Sequence, residues 1–209
     1  MKRMLIVIIL TTSLFAQSNI TLVGGINYST VAGNDIDDAE SLMGFRFGVQ
    51  KNLENGLIGG LTYSQRGFSI SEESSYYDYD WGQVTEKNEV EFTVNYLTAY
   101  VLKPIPMQTG VDFFIGGELG YFMSAESKYD NLYEDDYDYF SEKGSTDIDG
   151  DDWDDMDGNK LDYGFVLGGR YTIDSKMSIM GTYYFGLAEW GDDLDAQNRS
   201  FQINLTYGL

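Results

Sequence analysis

Apolar and polar residues alternate with a period of two in eight separate stretches of this chain. That pattern predicts β-strands with one face turned to an apolar medium. The first stretch, near Ile20 to Ser29, sets Ile20, Leu22, Ile26 and Tyr28 against Thr21, Asn27 and Ser29. The second sets Phe45, Phe47 and Val49 against Arg46, Gly48 and Gln50, and the third sets Leu57, Leu61 and Tyr63 against Thr62, Ser64 and Arg66. In the fourth, Val90, Phe92, Val94, Tyr96, Tyr100 and Leu102 share a predicted apolar face, and Glu91, Thr93 and Asn95 face the other way. The fifth sets Val111, Phe113, Ile115, Leu119, Tyr121 and Met123 against Asp112, Gly116, Glu118 and Gly120. The sixth sets Leu161, Tyr163, Phe165, Leu167 and Tyr171 against Asp162, Gly164, Gly168 and Arg170. Met177 to Leu187 and Phe201 to Leu209 complete the set.

The stretches run to about 9–14 residues, the length a tilted strand needs to cross a bilayer and longer than the globular norm. Short connections (52–56, 104–108 and 174–176) alternate with long ones (30–42, 69–88, 125–160 and 188–198). Long alternating with short is the layout of a transmembrane barrel with tight turns on the periplasmic side and loops outside. The predicted fold is therefore all-β: an eight-stranded, antiparallel, up-and-down transmembrane β-barrel with long acidic extracellular loops.

Which stripe faces lipid follows from volume. The interior of eight strands is just wide enough for side chains to fill it. The aromatic stripes would overfill it, so they are expected to face lipid, with Tyr28, Tyr63, Tyr100, Tyr121, Tyr163, Tyr171 and Tyr207 forming girdles at the two interfaces. The glycine-rich stripes then line the lumen with Arg46, Arg66, Glu91, Asp112, Glu118 and Arg170. Charges in a narrow lumen must pair. Asp112 and Arg170 are expected to pair near the periplasmic end, with Arg46, Arg66, Glu91 and Glu118 forming a second network.

Composition narrows the rest. Lys2 and Arg3, the apolar run from Met4 to Phe15, and the small residues Ala16 and Ser18 read as a signal peptide over 1–18, cut after Ala16 or Ser18. Residues 19–209 form the barrel domain. The absence of cysteine excludes disulfides, thiolate metal sites and a lipoprotein anchor. A net charge of −21 excludes nucleic acid as a partner. The expected partners are outer-membrane lipid, the barrel-assembly machinery during biogenesis, and one further molecule on either side of the membrane. The chain is expected to be a monomer.

Five stretches carry a family resemblance: Gly24–Gly25–Ile26–Asn27–Tyr28, Gly44–Phe45–Arg46–Phe47–Gly48–Val49, Leu61–Thr62–Tyr63–Ser64–Gln65–Arg66–Gly67, Val94–Asn95–Tyr96–Leu97, and Ile115–Gly116–Gly117–Glu118–Leu119–Gly120–Tyr121. With the closing strand, they make the chain resemble the small outer-membrane barrels of the PorT-like type, similar in layout to OmpA and OmpX. The resemblance is architectural and implies no reaction. Such barrels commonly finish on an aromatic residue, whereas this chain finishes on Leu209.

The third long connection carries a dense acidic run. Asp147, Asp149 and Asp151 have the first, third and fifth spacing of a calcium loop, and Asp154 and Asp157 extend the oxygen-rich set. Position six is Asp152 rather than Gly, and position twelve is Gly158 rather than Glu, which departs from the EF-hand pattern. The alternative is a solvated acidic loop. Three roles follow: a structural or surface-interaction barrel with its lumen filled by side chains, a small pore or transport channel, or a calcium-binding, adhesin-like surface protein. Barrels that acylate or deacylate lipid A work through a His paired with Ser or Asp. The chain has no His, which closes that mechanism, and a non-enzymatic role is expected.

Overall fold

The computed structural model describes residues 20–209 apart from 34, 35, 37, 38, 80, 108, 109, 136, 157, 192, 193 and the side chain of residue 194. The expected signal peptide lies outside the described residues. Among them are nine strands and one short helix: β1 (Ile20–Gly33), β2 (Glu40–Asn52), β3 (Ile58–Asp78), β4 (Gly82–Pro106), β5 (Val111–Glu134), β6 (Tyr139–Ile148), α1 (Gly150–Asp155), β7 (Leu161–Thr172), β8 (Met177–Gly191) and β9 (Leu194–Gly208). Sheet order is β4-β3-β2-β1-β9-β8-β7-β5-β6, and β4 also pairs with β5. That pairing closes an eight-stranded antiparallel barrel and leaves β6 outside it.

The expected alternation holds on seven of the eight spanning strands. Outward residues such as Ile26, Phe47, Ile115, Phe165 and Ile203 are about half exposed, and their neighbours Asn27, Arg46, Asp162 and Gln202 are buried. The outward band is apolar around the wall and has tyrosines near its ends: Tyr171 and Tyr207 at the short-turn end, Tyr28, Tyr121 and Tyr163 at the other. At the short-turn end Gly56 and Gly110 adopt φ of 76° and 74°, a left-handed conformation open to glycine at little cost.

β4 corrects the expectation. Val94, Tyr96, Tyr100 and Leu102 point into the lumen, while Leu97 and Val101 face outward. Directly opposed residues share a face of a sheet. The register sets Thr62 against Thr98, Ser64 against Tyr96 and Arg66 against Val94. Glycines elsewhere on the wall supply the volume for these rings: a Cβ on Gly60 would come within 2.1 Å of the Tyr100 ring, and one on Gly120 within 3.3 Å of Tyr96. Tyr100 therefore belongs to the lumen, not to a girdle.

The long connections are also more ordered than expected. β3 and β4 stay paired up to Asp78 and Gly82. β5 stays paired with β4 as far as Glu134 and turns back into β6. The upper parts of β3, β4 and β5, with β6, form a four-stranded blade that continues one side of the barrel wall. β8 and β9 likewise reach Gly191 and Leu194.

Candidate functional site

Three layers fill the lumen. The middle layer is ionic. Arg66 pairs with both Glu118 and Asp162, and Arg46 pairs with Glu118 at 2.7 Å. All four side chains are at most 4% exposed. Two cations and two anions make the cluster neutral, the condition under which buried charge is tolerated. Neighbours add further hydrogen bonds, although among the described residues the Nε of Arg46 and that of Arg66 are left without one. Tyr184 Oη donates to Asp162 at 2.7 Å, Asn198 Nδ2 donates to Asp162 at 3.0 Å, and Arg46 donates to Gln202. The guanidinium of Arg66 lies 4.0 Å from the centre of the Tyr184 ring, and that of Arg46 lies 5.0 Å from Tyr100. Such stacking favours a desolvated cation.

Below this layer, at the short-turn end, Ile58, Tyr100, Leu102, Phe114, Val166, Met180 and Tyr184 pack together. The space left beside Arg46, Glu118, Thr182 and Gln202 is about 10 Å³, at the lower limit for one water molecule. Above it, an apolar cluster closes the extended end around Phe68, Tyr96, Phe122, Trp153 and Trp190. Trp153 stacks on Phe122 with ring centres 4.5 Å apart and meets Trp190 edge-on at 5.8 Å. Trp153 comes from α1. Asp149 caps that helix by accepting from the amides of Asp151 and Asp152, and Asp152 returns a bond to the Asp149 amide. The segment is then stitched to the barrel: Asn159 donates to the Trp190 and Glu189 carbonyls, and the Phe122 amide donates to Lys160.

The residues predicted from sequence fall into four groups. Arg46, Arg66 and Glu118 meet in the ionic layer. Asp112 and Arg170 pair separately near the short-turn end, with Arg170 Nε 3.1 Å from the carboxylate. Glu91 departs from the expectation: it lies on the outward face of the blade, opposite Lys128, and not in the lumen. The acidic run does not converge. Asp149 is committed to the helix cap, and Asp154 pairs with Lys160. Asp147 is the penultimate residue of β6, and Asp151 sits in the first turn of α1. Among the described residues, no three acids are placed to hold a metal ion. Asp157 lies outside the described residues. Both capping bonds end on one oxygen of Asp149, Oδ1.

Asp162, Trp153 and Trp190 were not singled out by sequence. Asp162 carries the same signal as Glu118, an isolated acid among glycines on an inner stripe. Trp153 carries no such signal, because its burial depends on α1 folding over the mouth.

Outside the lumen, electrostatics is local and solvated. Backbone amides of Asp152 and Asp151 hold the Asp149 carboxyl below its ordinary range. On the blade, Lys143 pairs with Asp130, Lys128 with Glu126 and Lys87 with Glu89. The bond to Asp130 raises the pKa of Lys143.

Comparison with known proteins agrees with this architecture. Residues 15–190 match the model of the outer membrane protein beta-barrel domain family, and the chain belongs to that family. The crystal structure of Neisserial surface protein A (NspA) superposes with a TM-score of 0.54 at 10% identity, covering 92% of this chain and 98% of that one. Two further structures are similar at lower scores. Ail of Yersinia pestis has a TM-score of 0.43 at 11% identity, covering 92% of this chain and 100% of its own. Outer Membrane Protein W of E. coli has a TM-score of 0.40 at 11% identity, covering 92% and 99%. No curated protein sequence matches.

Proposed function

From membership of this outer-membrane family, we propose that the chain is a non-enzymatic barrel whose lumen is sealed by its own side chains, and that it serves as an anchor displaying the blade outside the cell. The neutral cluster of Arg46, Arg66, Glu118 and Asp162, packed between two apolar layers, carries this reading. An ion crossing the barrel must displace bonded charges and then pass apolar rings, and both steps are costly in a dry medium. The extended end then faces outward, as long connections do in outer-membrane barrels. Residues 1–18 act as a cleaved export signal, and within the family we place the chain beside the PorT-like barrels.

Planar-bilayer recording on the refolded protein tests the seal. The expected result is no stable single-channel current at moderate salt. A steady current in the wild-type protein would instead assign the small-pore role. Sidedness is read from intact cells: a cysteine introduced at Ser141 should react with an impermeant maleimide, and the natural chain supplies no competing thiol.

A further inference from the structure

β6 pairs with β5 over all ten of its residues, from Ile148 against Ala125 to Tyr139 against Glu134, with no shift of register. Among the described residues, no strand or bridge takes its other side. Alternate residues of β6 therefore turn their N–H and C=O groups to open solvent, and all but two of the ten residues are exposed. An edge of this length is a template for a further strand, and proteins usually blunt one with proline, a bulge or inward-pointing charge. β6 has neither proline nor bulge. Its single lysine, Lys143, is turned across the sheet onto Asp130. Gly144 adds a second feature. A Cβ there would come within 2.4 Å of the Tyr129 ring, so that ring covers the glycine beside the open edge. It offers an incoming side chain a flat apolar platform.

Charge selects the occupant. Residues 70–91 and 126–148 carry fifteen Asp and Glu against three Lys, a net charge of −12. A second copy would bring the same charge to the same edge. A copy rotated about the barrel axis would also present its β6 in the same direction, giving the weaker parallel pairing. We propose that the β6 edge docks an extended, Lys/Arg-bearing segment of another protein, which joins the blade as an antiparallel strand. Backbone hydrogen bonds supply affinity, and basic side chains beside Glu142 and Asp147 supply selectivity. The proposal rests on the blade being a displayed surface. It is tested on purified barrel in non-ionic detergent, where neither the seal nor the sidedness affects the outcome.

The probe is a labelled twelve-residue peptide of alternating Lys and Val, read by fluorescence anisotropy. The expected result is saturable binding that weakens as salt rises. Methylating every second backbone nitrogen in one of the two phases should cost at least tenfold, because one phase faces β6. Ser141 and Glu142 are neighbours, so only one of them aims its N–H outward. Of Ser141→Pro and Glu142→Pro, the outward one should retain the fold and lose at least tenfold in binding. Glu142→Lys, an exposed reversal that leaves the backbone intact, should weaken binding as well. Three results overturn the proposal: no saturable binding, equal binding of both N-methylated peptides, or a concentration-dependent dimer in sedimentation that the same proline abolishes. The last would give the edge to a second copy.

Discussion

β3, β4 and β5 run without interruption from the barrel into the blade, and the same kinds of ion pair occur in both places with opposite consequences. In the lumen, the side chains of Arg66 and Glu118 are 0% and 2% exposed. On the blade, those of Lys143 and Asp130 are 70% and 40% exposed. Water screens the second pair and leaves it nearly neutral in energy, whereas removing one partner from the first strands a charge in a dry interior. Burial, not the identity of the paired groups, decides which pairs hold the molecule together.

The largest effect should come from Arg66→Met. It leaves Glu118 and Asp162 facing each other without their shared cation, and the cost of such a break is about 3–5 kcal/mol. Denaturant unfolding of the refolded barrel in detergent measures it. The contrast with the blade fails if the midpoint does not move. Replacing Asp162 alone with an apolar residue in the same chain should restore much of the loss, because Arg46 and Glu118 then remain as a neutral buried pair.

Trp153→Ala comes next. Removing a buried tryptophan costs about 3–5 kcal/mol, felt here mainly in the opening of the segment over the mouth. Proteolytic cleavage within 149–160 should speed up by roughly 100- to 3,000-fold, since each 1.4 kcal/mol is a factor of ten.

The pH response of α1 should be smaller. The folded pKa of Asp149 is depressed, so the cap's contribution is fully present above the ordinary carboxyl range and is lost as pH falls through the depressed value. Tryptophan fluorescence should stay flat from about pH 7 to pH 5 and change only below about pH 4. Asp149→Asn, which still caps but does not titrate, should remove the part of that change due to the cap. Smallest of all, Lys143→Ala should leave the unfolding midpoint within error, which sharpens the contrast with Arg66.

The eight spanning strands were legible because lipid on one side and a narrow lumen on the other impose a strict two-residue period. β4 was misread because both of its stripes are apolar: Leu97, Ala99 and Val101 are as compatible with lipid as Val94, Tyr96 and Tyr100. Hydropathy alone does not choose between them. The choice was made by pairing with Thr62, Ser64 and Arg66 on β3, and by glycines on neighbouring strands that vacate space for the rings. Three of the four members of the ionic layer, Arg46, Arg66 and Glu118, were legible for a similar reason. A charge on a polar stripe must pair, but spacing along one strand does not say with which strand. Glu91 was assigned to the lumen by the same error of face that misplaced Tyr96.

The blade and the mouth were the least legible. Above the membrane the outward face meets water, so Glu89, Glu91, Lys128 and Asp130 extend the strands with polar residues, and the chain reads there as an acidic loop. The spacing of Asp147, Asp149 and Asp151 is that of a calcium loop, and it gave no sign of the helix N-terminus whose amides bond one oxygen of Asp149.

The sequence by itself determined the membrane address, the spanning strands and the sign of every charge, because a period of two and a lipid-facing stripe are local properties of the chain. The tertiary structure alone decided which of two apolar stripes on β4 turned inward, which charges met around Arg66, and that Trp153 would close the mouth. Those outcomes depend on the volume and charge that distant strands bring to one shared interior, and no segment carries that information alone.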